Sequence, residues 1–457
     1  MEWLASNVLI IIGFLLAVLA ITHMLTQRRT PQGMIAWLLF IVSFPWLGVP
    51  LYLMFGGRRM AALARSKADV RLSSVVAIPG EAGEIDRLLQ SYGIPPATRG
   101  NRMTLNRDGV QGHRALMDLI DGATENLAYA TYFLATDTVG DAVVDRLSRR
   151  AADGIDVRLL LDGVGCLHVG RDFLAPLLEA GGRIAYFMPV LRRPFRGRTN
   201  LRNHRKITIA DGQRVWAGGA NTAIEYIGPK PTPGRWRDLT FVLEGPAVQS
   251  YAEIFELDWA FACGIAPAVV QPVASPPDAE QTVQVVPSGP DIPGDPLYGS
   301  LIASLHMARK RIWLVTPYFV PPDAFTQALC LAARRDVDVR VVVPTVSNHP
   351  IADWARGPRL RDIQDAGGTI LQFPKAMLHA KAALVDDSSA WVGSANLDDR
   401  SLFLNYEVML VVIGDPGFSE METWITDLMA ESTHGVAAVG KTREIVEGVA
   451  LMAAPLL

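Results

Sequence analysis

Charged side chains are scarce in one part of this 457-residue chain. Lys, Arg, Asp and Glu make up 19% of the residues, against about 25% in ordinary soluble domains. The first 57 residues contain only three of them, Glu2, Arg28 and Arg29, and the rest of the chain has a nearly normal share. This distribution excludes a uniformly soluble protein, a disordered chain and a polytopic transporter.

Cysteine pairs and metal-ligand patterns are also lacking. The three cysteines, Cys166, Cys263 and Cys330, lie far apart without a CxxC pattern, which excludes a disulfide framework and a zinc site. No carboxylate cluster or histidine-rich spacing indicates another metal, so we expect no metal and no cofactor. The net charge of −3 does not indicate a general nucleic-acid binder.

The N-terminal region is apolar over two stretches. Residues 3–27 and 30–57 carry no charged side chain, and each is long enough for the ~20-residue helix that crosses a bilayer. Pro45, Gly48 and Pro50 interrupt the second stretch, so it spans with a kink or re-enters. A signal peptide is disfavoured because a second apolar stretch follows at once. We therefore expect residues 1–57 to form a membrane hairpin, with the heavier basic cluster after it favouring a cytoplasmic catalytic part.

Strand-like and helix-like runs alternate in the remainder of the chain, and their order occurs twice. Buried strands are predicted at 128–135, 157–165 and 183–188, and matching runs lie at 311–321, 339–344 and 365–373. This pattern predicts an α/β fold with a mostly parallel sheet and an internal duplication. The expected units are a hairpin (1–57), a connector (58–103), a first domain (104–263), a linker (264–282), a second domain (283–435) and a tail (436–457). The apolar end of the tail is either a docked strand or a membrane contact.

One polar motif is present in both copies. HRKITIADGQRVWAGGAN begins at His204, HAKAALVDDSSAWVGSAN begins at His379, and all shared positions differ by 175. His and Lys two residues apart on a strand share a face. Two facing copies would surround a phosphodiester with two imidazoles, two ammonium groups and two amides, one imidazole attacking phosphorus and the other protonating the leaving oxygen. Two ordinary β-hairpins with an incidental histidine are the alternative, which the duplication disfavours.

The paired motif resembles the signature of the phospholipase D superfamily. NLRNHRKI, PYFVP, GSANLDDRS, NYE and the N-terminal hairpin are similar to bacterial cardiolipin synthases in particular. The resemblance implies two tandem phospholipase D-like α-β-α domains with pseudo-twofold symmetry, preceded by an N-terminal transmembrane helical hairpin. It also implies a metal-independent reaction through a phosphohistidine, with His204 as nucleophile and His379 as general acid. The other residues of the implied site are Lys206, Lys381, Asn221 and Asn396 on the phosphate, and Asp211 and Asp386 in the hairpins and lysine network.

Further residues near the motifs are candidates for supporting roles. Asp238 and Glu407, which follow the two motifs, are candidates to hydrogen-bond the imidazole nitrogens, with a surface or structural carboxylate as the alternative. Ser394 stands where the first copy has Gly219, so the first copy is expected to lack a hydroxyl contact. A basic insertion beside His204 is expected to contact anionic lipid headgroups, with a solvated loop as the alternative. Its candidate residues are Arg192, Arg193, Arg196 and Arg198.

The leading hypothesis is a membrane phosphatidyltransferase of the bacterial inner membrane. It would make cardiolipin and glycerol from two phosphatidylglycerol molecules, with anionic phospholipid and the membrane as partners and no nucleic acid. A hydrolase of the same superfamily is the first rival, because the use of water or alcohol depends on water exclusion. A non-catalytic membrane scaffold is the second. An oligomer is possible but not required, since one chain carries both motifs.

Overall fold

Three helices form the described part of the N-terminal region. The computed structural model describes residues 2–25, 31–55, 72, 83–189 and 201–452. Helix α1 covers Glu2–Leu25, α2 covers Pro31–Ser43 and α3 covers Pro45–Phe55. The second apolar stretch is thus two helices, because the ring of Pro45 disfavours helical geometry at the residue before it. Among the described helices, none meets the combined length and apolarity needed to cross a membrane.

The first half of the remaining chain alternates strands and helices as the sequence predicts. Two of its described helices begin at an aspartate that caps them, Asp108 and Asp137; the latter accepts bonds from the amides of Val139 and Gly140. The elements are α4 (Glu84–Ser91), β1 (Thr98–Asn106), α5 (Gly109–Asp121), β2 (Asn126–Thr131), α6 (Thr138–Ala152), β3 (Asp156–Asp162), α7 (Arg171–Glu179), β4 (Arg183–Phe187), β5 (Ile207–Ala210), β6 (Arg214–Gly218), β7 (Thr240–Glu244) and α8 (Val248–Cys263).

The second half repeats this order with small additions. Segment 264–280 between the halves contains neither helix nor strand. The elements are β8 (Gln281–Ser288), α9 (Pro296–Met307), β9 (Arg311–Val315), β10 (Phe319–Val320), α10 (Asp323–Arg334), β11 (Asp338–Pro344), α11 (Pro350–Asp365), β12 (Thr369–Phe373), β13 (Ala382–Val385), β14 (Ser389–Gly393), β15 (Leu397–Asp398), α12 (Asp399–Phe403), β16 (Glu407–Ile413), α13 (Gly417–Ala430), β17 (Thr433–His434) and α14 (Lys441–Met452).

One continuous sheet joins the two halves. Fifteen of the described strands form it in the order β17-β12-β11-β9-β13-β14-β16-β8-β1-β7-β6-β5-β2-β3-β4. The halves meet where β1 pairs antiparallel with β8. The prediction of a mostly parallel sheet is wrong: among the described strands of this sheet, parallel pairing is confined to β2–β3–β4 and β9–β11–β12. The motif hairpins β5–β6 and β13–β14 enter antiparallel beside them.

Two predicted segments differ from the structure. Strand β1 begins at Thr98, inside the segment expected to be a connector. The sequence pattern did not predict this strand, because TRGNRMTLN is too polar to indicate a central strand. Its buried Asn101 compensates by accepting a 2.9 Å bond from the amide of Ala247. The C-terminal tail contains a helix, α14, that packs on α11 rather than a strand.

The motif strands are buried on both faces. All four residues of β5 and all four of β13 are buried, because helices cover the two sides of the sheet. A hydrophobic cluster with members from both halves packs around them, with Phe241, Val286 and Trp391 fully buried. The polar motif residues therefore project from a rigid, close-packed platform.

Candidate functional site

Backbone bonds bring the two motif histidines together. The amide of His204 donates to the carbonyl of Tyr406 at 2.9 Å, and the amide of His379 donates to the carbonyl of Arg237 at 2.7 Å. Each motif is therefore attached to the segment that follows the other motif, in an isolated bridge of the β type. The candidate site lies where these two connections bring the first and second motifs next to each other.

A buried carboxylate holds the imidazole of His204. Its Nδ1 lies 2.9 and 3.0 Å from the two carboxylate oxygens of Glu407, and the Ser394 hydroxyl donates to the same carboxylate at 2.5 Å. Burial lowers the pKa of His204, although Glu407 opposes this effect. A neutral ring that donates from Nδ1 presents the lone pair of Nε2, the nucleophilic form of imidazole.

The imidazole of His379 has an equivalent partner. Its Nδ1 lies 2.6 Å from Oδ2 of Asp238, and its ring packs against Tyr226 and Trp236 at centroid distances of 4.9 and 5.5 Å. Burial, and next the ammonium of Lys381, lower the pKa of His379 to about 3. Without a bound anion this ring is therefore neutral.

The carboxylates are crossed between the halves. Glu407 follows the second motif but binds the histidine of the first, and Asp238 follows the first motif but binds the histidine of the second. The prediction that these two acids contact the imidazoles agrees with the geometry. The crossing has no signal in the sequence, because Glu407 lies 203 residues from His204.

Gly219 and Ser394 occupy equivalent positions with different consequences. A Cβ atom at Gly219 would lie 2.2 Å from Oδ1 of Asp238. The carboxylate in this half therefore fills the volume that the Ser394 side chain fills beside Glu407 in the other half. The expectation that the first copy only lacks a hydroxyl contact is incomplete, because the missing side chain makes room for Asp238.

The two motif lysines lie beside the histidines. Nζ of Lys206 donates to the carbonyl of His204 at 2.6 Å, and Nζ of Lys381 lies 2.7 and 3.1 Å from the two ring nitrogens of His379. Burial lowers the pKa of Lys206 well below its ordinary value and that of Lys381 to about 8. Ammonium groups with little solvation are suited to binding an anion.

The motif asparagines supply unfilled hydrogen-bonding capacity. Oδ1 of Asn221 and Oδ1 of Asn396 are buried without a hydrogen-bond partner among the described residues. Both side chains line the same pocket as the two histidines. Buried polar groups without a partner are costly, so these amides indicate a site for a polar ligand.

The motif aspartates lie away from the pocket. Asp211 accepts bonds from the amides of residues 124–126, and Asp386 accepts bonds from the amides of residues 309–311. Both have left-handed backbone angles, with φ of 55° and 51°. They hold the turns of β5–β6 and β13–β14 against the starts of β2 and β9, which agrees with the expected place in the hairpins. Their grouping with the catalytic residues and the lysine network is corrected, because their described hydrogen bonds go to these amides and not to the motif lysines.

The histidines open into one cavity of about 480 Å³. Part of its second-half wall is polar, with Asp398, Ser401 and Asn405, whereas the first half contributes the aromatic side chains of Tyr226 and Trp236. Burial raises the pKa of Asp398 to about 6. The sequence reasoning missed this wall, although GSANLDDRS and NYE contain its residues. In the described part of the chain, no three His, Cys, Asp or Glu side chains are grouped as a metal site would require.

The basic stretch beside His204 has two parts. Arg205 is fully buried and binds both carboxylate oxygens of Asp258, at 2.9 and 2.8 Å, while Arg202 lies 3.3 Å from Asp162. These two arginines hold the segment that carries His204, which directly precedes β5. The four predicted headgroup contacts, Arg192, Arg193, Arg196 and Arg198, lie outside the described residues.

The fold is the phospholipase D-like α/β fold with two tandem domains. A solved phosphatidylserine synthase from Haemophilus influenzae Rd KW20 superposes with a TM-score of 0.61, covering 82% of this chain and 98% of that one at 14% identity. This likeness concerns the fold alone.

Sequence comparisons define the family more narrowly. The family model described as "Cardiolipin synthase, PLD-like domain" matches residues 116–259 and 301–429, and "Phospholipase_D-nuclease N-terminal" matches residues 15–57. Cardiolipin synthase 1 of Bacillus anthracis is 32% identical over 89% of this chain and 85% of its own length. Cardiolipin synthase A of Pseudomonas putida (strain W619) is 33% identical over 90% of this chain and 89% of its own. The chain belongs to the cardiolipin synthase family of phospholipase D-like enzymes.

Proposed function

We propose that this protein is a phosphatidyltransferase that makes cardiolipin and glycerol from two phosphatidylglycerol molecules. The observation that carries the proposal is the pair of carboxylate-bound imidazoles, His204 and His379, that open into one cavity with two lysines beside them. Such a set can attack a phosphodiester from one side and protonate its leaving oxygen on the other. Membership of the cardiolipin synthase family supports phosphatidylglycerol as the substrate.

In the first step, Nε2 of His204 forms a bond to phosphorus and the bond from phosphorus to the headgroup glycerol breaks. His379 gives its proton to the departing glycerol oxygen. The anionic phosphodiester favours the imidazolium form and so raises the pKa of His379 from its substrate-free value. The ammonium groups of Lys206 and Lys381 and the amide Nδ2 groups of Asn221 and Asn396 donate to the non-bridging oxygens, and Glu407 stabilises the positive charge on the His204 ring.

In the second step, the neutral His379 accepts the proton of a hydroxyl on a second phosphatidylglycerol. The resulting oxygen bonds to phosphorus, the bond to His204 breaks, and cardiolipin is released. Water is the competing acceptor, so transfer requires that water be kept from the phosphohistidine. The aromatic wall of Tyr226, Trp236 and Tyr318 supports this exclusion.

We further place residues 1–57 in the bacterial inner membrane as a multi-pass hairpin, with the catalytic halves on the cytoplasmic side. The two stretches without charged side chains, 3–27 and 30–57, and the family-model match at 15–57 support this placement. Arg192, Arg193, Arg196 and Arg198 would contact anionic headgroups, each basic residue contributing about 1 kcal/mol near a charged surface. One chain suffices for one site.

Purified full-length protein in phosphatidylglycerol vesicles tests the proposal. Thin-layer chromatography and a glycerol assay should detect equal amounts of cardiolipin and glycerol. Phosphatidic acid as the sole lipid product would instead indicate a hydrolase, and the absence of turnover would indicate a scaffold.

Histidine variants test the assignment of roles. His204→Ala and His379→Ala should each abolish turnover, because the two groups act as one unit, while His434→Ala on the exposed edge strand should not. Mass spectrometry of quenched His379→Ala should detect a phosphatidyl adduct on His204 when the substrate carries a leaving group that departs without a proton. In the wild-type enzyme, an adduct confined to His379 would reverse the assignment.

A further inference from the structure

Exposed large apolar side chains lie near the carboxyl ends of the parallel strands. Residues of the segments after β2, β9 and β11 line the cavity, so the cavity lies at the carboxyl ends of these strands. The loop after β11 and the first turns of α11 expose Val346, Ile351 and Trp354 beside the lining residue Ala352. The equivalent turn after β3 exposes Val164 and Leu167.

Helix α14 has an inverted distribution of polar and apolar side chains. Ile445, Val449 and Met452 are 68%, 62% and 80% exposed and lie within about 60° on one face, at 100° per residue. The opposite face contains Glu447 and Ala450, which are buried. A surface helix ordinarily buries its apolar face, so the outward face of α14 requires an explanation.

The inward face of α14 is fixed by specific contacts. The carboxylate of Glu447 accepts bonds from Arg361 on α11 and from Arg443 on its own helix. Ala450 packs in a cluster with Val320 and Ala352, both of which also line the cavity. These contacts hold the C-terminal end of the helix directly behind the cavity wall.

We propose that an apolar rim, consisting of Val346, Ile351, Trp354, Ile445, Val449 and Met452, docks on the hydrocarbon boundary of a phospholipid bilayer. The proposal rests on the proposed function, because a substrate with acyl chains must bring its phosphate to the imidazoles from the bilayer. The rim adjoins the cavity that this phosphate enters, because Ile351 is next to the lining residue Ala352 and Ala450 of α14 packs against Ala352. A second copy of the chain on the same surface would obstruct that entry, so lipid is the occupant that fits catalysis.

An environment-sensitive fluorophore on an introduced cysteine tests the docking. The label is placed at Met452→Cys, and at Ile445→Cys as a second site, in full-length protein with Cys263→Ser and Cys330→Ala. The matched control is Leu178→Cys, an exposed apolar position in the last turn of α7. This helix precedes β4, the strand at the other end of the sheet from β12 and β11. In phosphatidylglycerol vesicles, the labels at 452 and 445 should shift to the blue and be quenched by nitroxides on the acyl chains.

Three outcomes would overturn the docking proposal. The first is that labels at 452, 445 and 178 show the same emission maximum and the same nitroxide quenching. The second is that the blue shift of the labels at 452 and 445 is the same with and without lipid. The third is a blue shift in detergent that increases with protein concentration, because this dependence would indicate docking of a second copy. Cardiolipin formation is measured in the same samples. Normal synthesis without insertion refutes the docking alone, whereas insertion without any synthesis refutes the proposed function.

A kinetic comparison provides an independent readout. Ile445→Ser/Val449→Ser should raise the apparent KM for phosphatidylglycerol in vesicles by about tenfold, since two apolar side chains no longer gain from burial. Turnover of a short-chain phosphatidylglycerol below its critical micelle concentration should be unchanged. Leu178→Ser should alter neither value. Equal losses on both substrates would contradict docking as the cause.

Discussion

Gly219→Ala is expected to inactivate the enzyme although Gly219 has no side chain that could react. The added Cβ would lie 2.2 Å from Oδ1 of Asp238. The carboxylate must retreat by roughly 0.8 Å to reach the 3.0 Å below which real Cβ contacts essentially never occur. The backbone itself tolerates alanine there, because φ at Gly219 is not in the left-handed region.

The magnitude follows from what Asp238 holds. Its Oδ2 lies 2.6 Å from Nδ1 of His379, and a displaced carboxylate no longer orients this ring. Loss of the carboxylate that orients a catalytic histidine lowers kcat by up to about 10⁴-fold. We expect Gly219→Ala to lower kcat by about 10² to 10⁴-fold, with a smaller effect on KM.

A double-mutant cycle measures whether the effect acts through Asp238. Initial rates of cardiolipin formation are compared for Gly219→Ala, Asp238→Asn and the double variant, with thermal unfolding as a check on folding. The double variant should be within about threefold of Asp238→Asn, because coupled changes are not additive. Gly170→Ala, where an added Cβ meets nothing within 4 Å, is the matched control.

Near wild-type turnover of folded Gly219→Ala would refute the steric reasoning. Fully additive losses in the double variant would refute the route through Asp238.

Three further changes test separate parts of the site. Burial lowers the pKa of Lys381 to about 8, so its ammonium charge is lost above that pH. The wild-type kcat/KM should therefore fall roughly tenfold per pH unit above about pH 8, and the pH–rate profile of Lys381→Arg should lack this fall. A flat wild-type profile to about pH 10 would contradict the assignment. Asp211→Ala should lower the free energy of unfolding, measured with urea, by about 1–3 kcal/mol, because the turn amides lose their acceptor. The kcat of the folded variant should stay within about twofold of the wild-type value. A large loss of kcat at unchanged stability would indicate a chemical role for Asp211. Ser394→Ala removes one donor to Glu407 and should cost less than Gly219→Ala in the same rate assay; an equal or greater loss would show that the two positions do not differ as described.

Much of the core architecture could be predicted because it depends on local patterns. The strands that became β2, β3, β9 and β11 are continuous apolar runs, since helices cover both faces of the sheet. The polar strand β1 escaped prediction, because its buried side chains are satisfied by hydrogen bonds that no sequence window contains. The antiparallel pairing of β5 with β2 and of β13 with β9 could not be predicted either, since the neighbours of a strand are set by packing and not by its apolar pattern.

The candidate site divides in the same way. The constant offset between His204 and His379 was sufficient to predict two imidazoles, two lysines and two amides at one site, and the structure brings these side chains to one cavity. The positions of Asp211 and Asp386 required the structure, because a carboxylate in a tight turn can face either a ligand or backbone amides. Only the contacts of Asp211 with the amides of residues 124–126 decide between these possibilities.

The sequence by itself determined which chemical groups are present and that they are present twice. The tertiary structure alone decided that Glu407 binds His204 and that Asp238 binds His379, since the β-bridges of Asn203 with Tyr406 and of Arg237 with Leu378 connect each motif to the opposite half. It also decided that Gly219 must be glycine and that the apolar face of α14 points outward. These are contacts between residues distant in the chain, and hydrogen bonding and steric exclusion act over only a few ångströms of space.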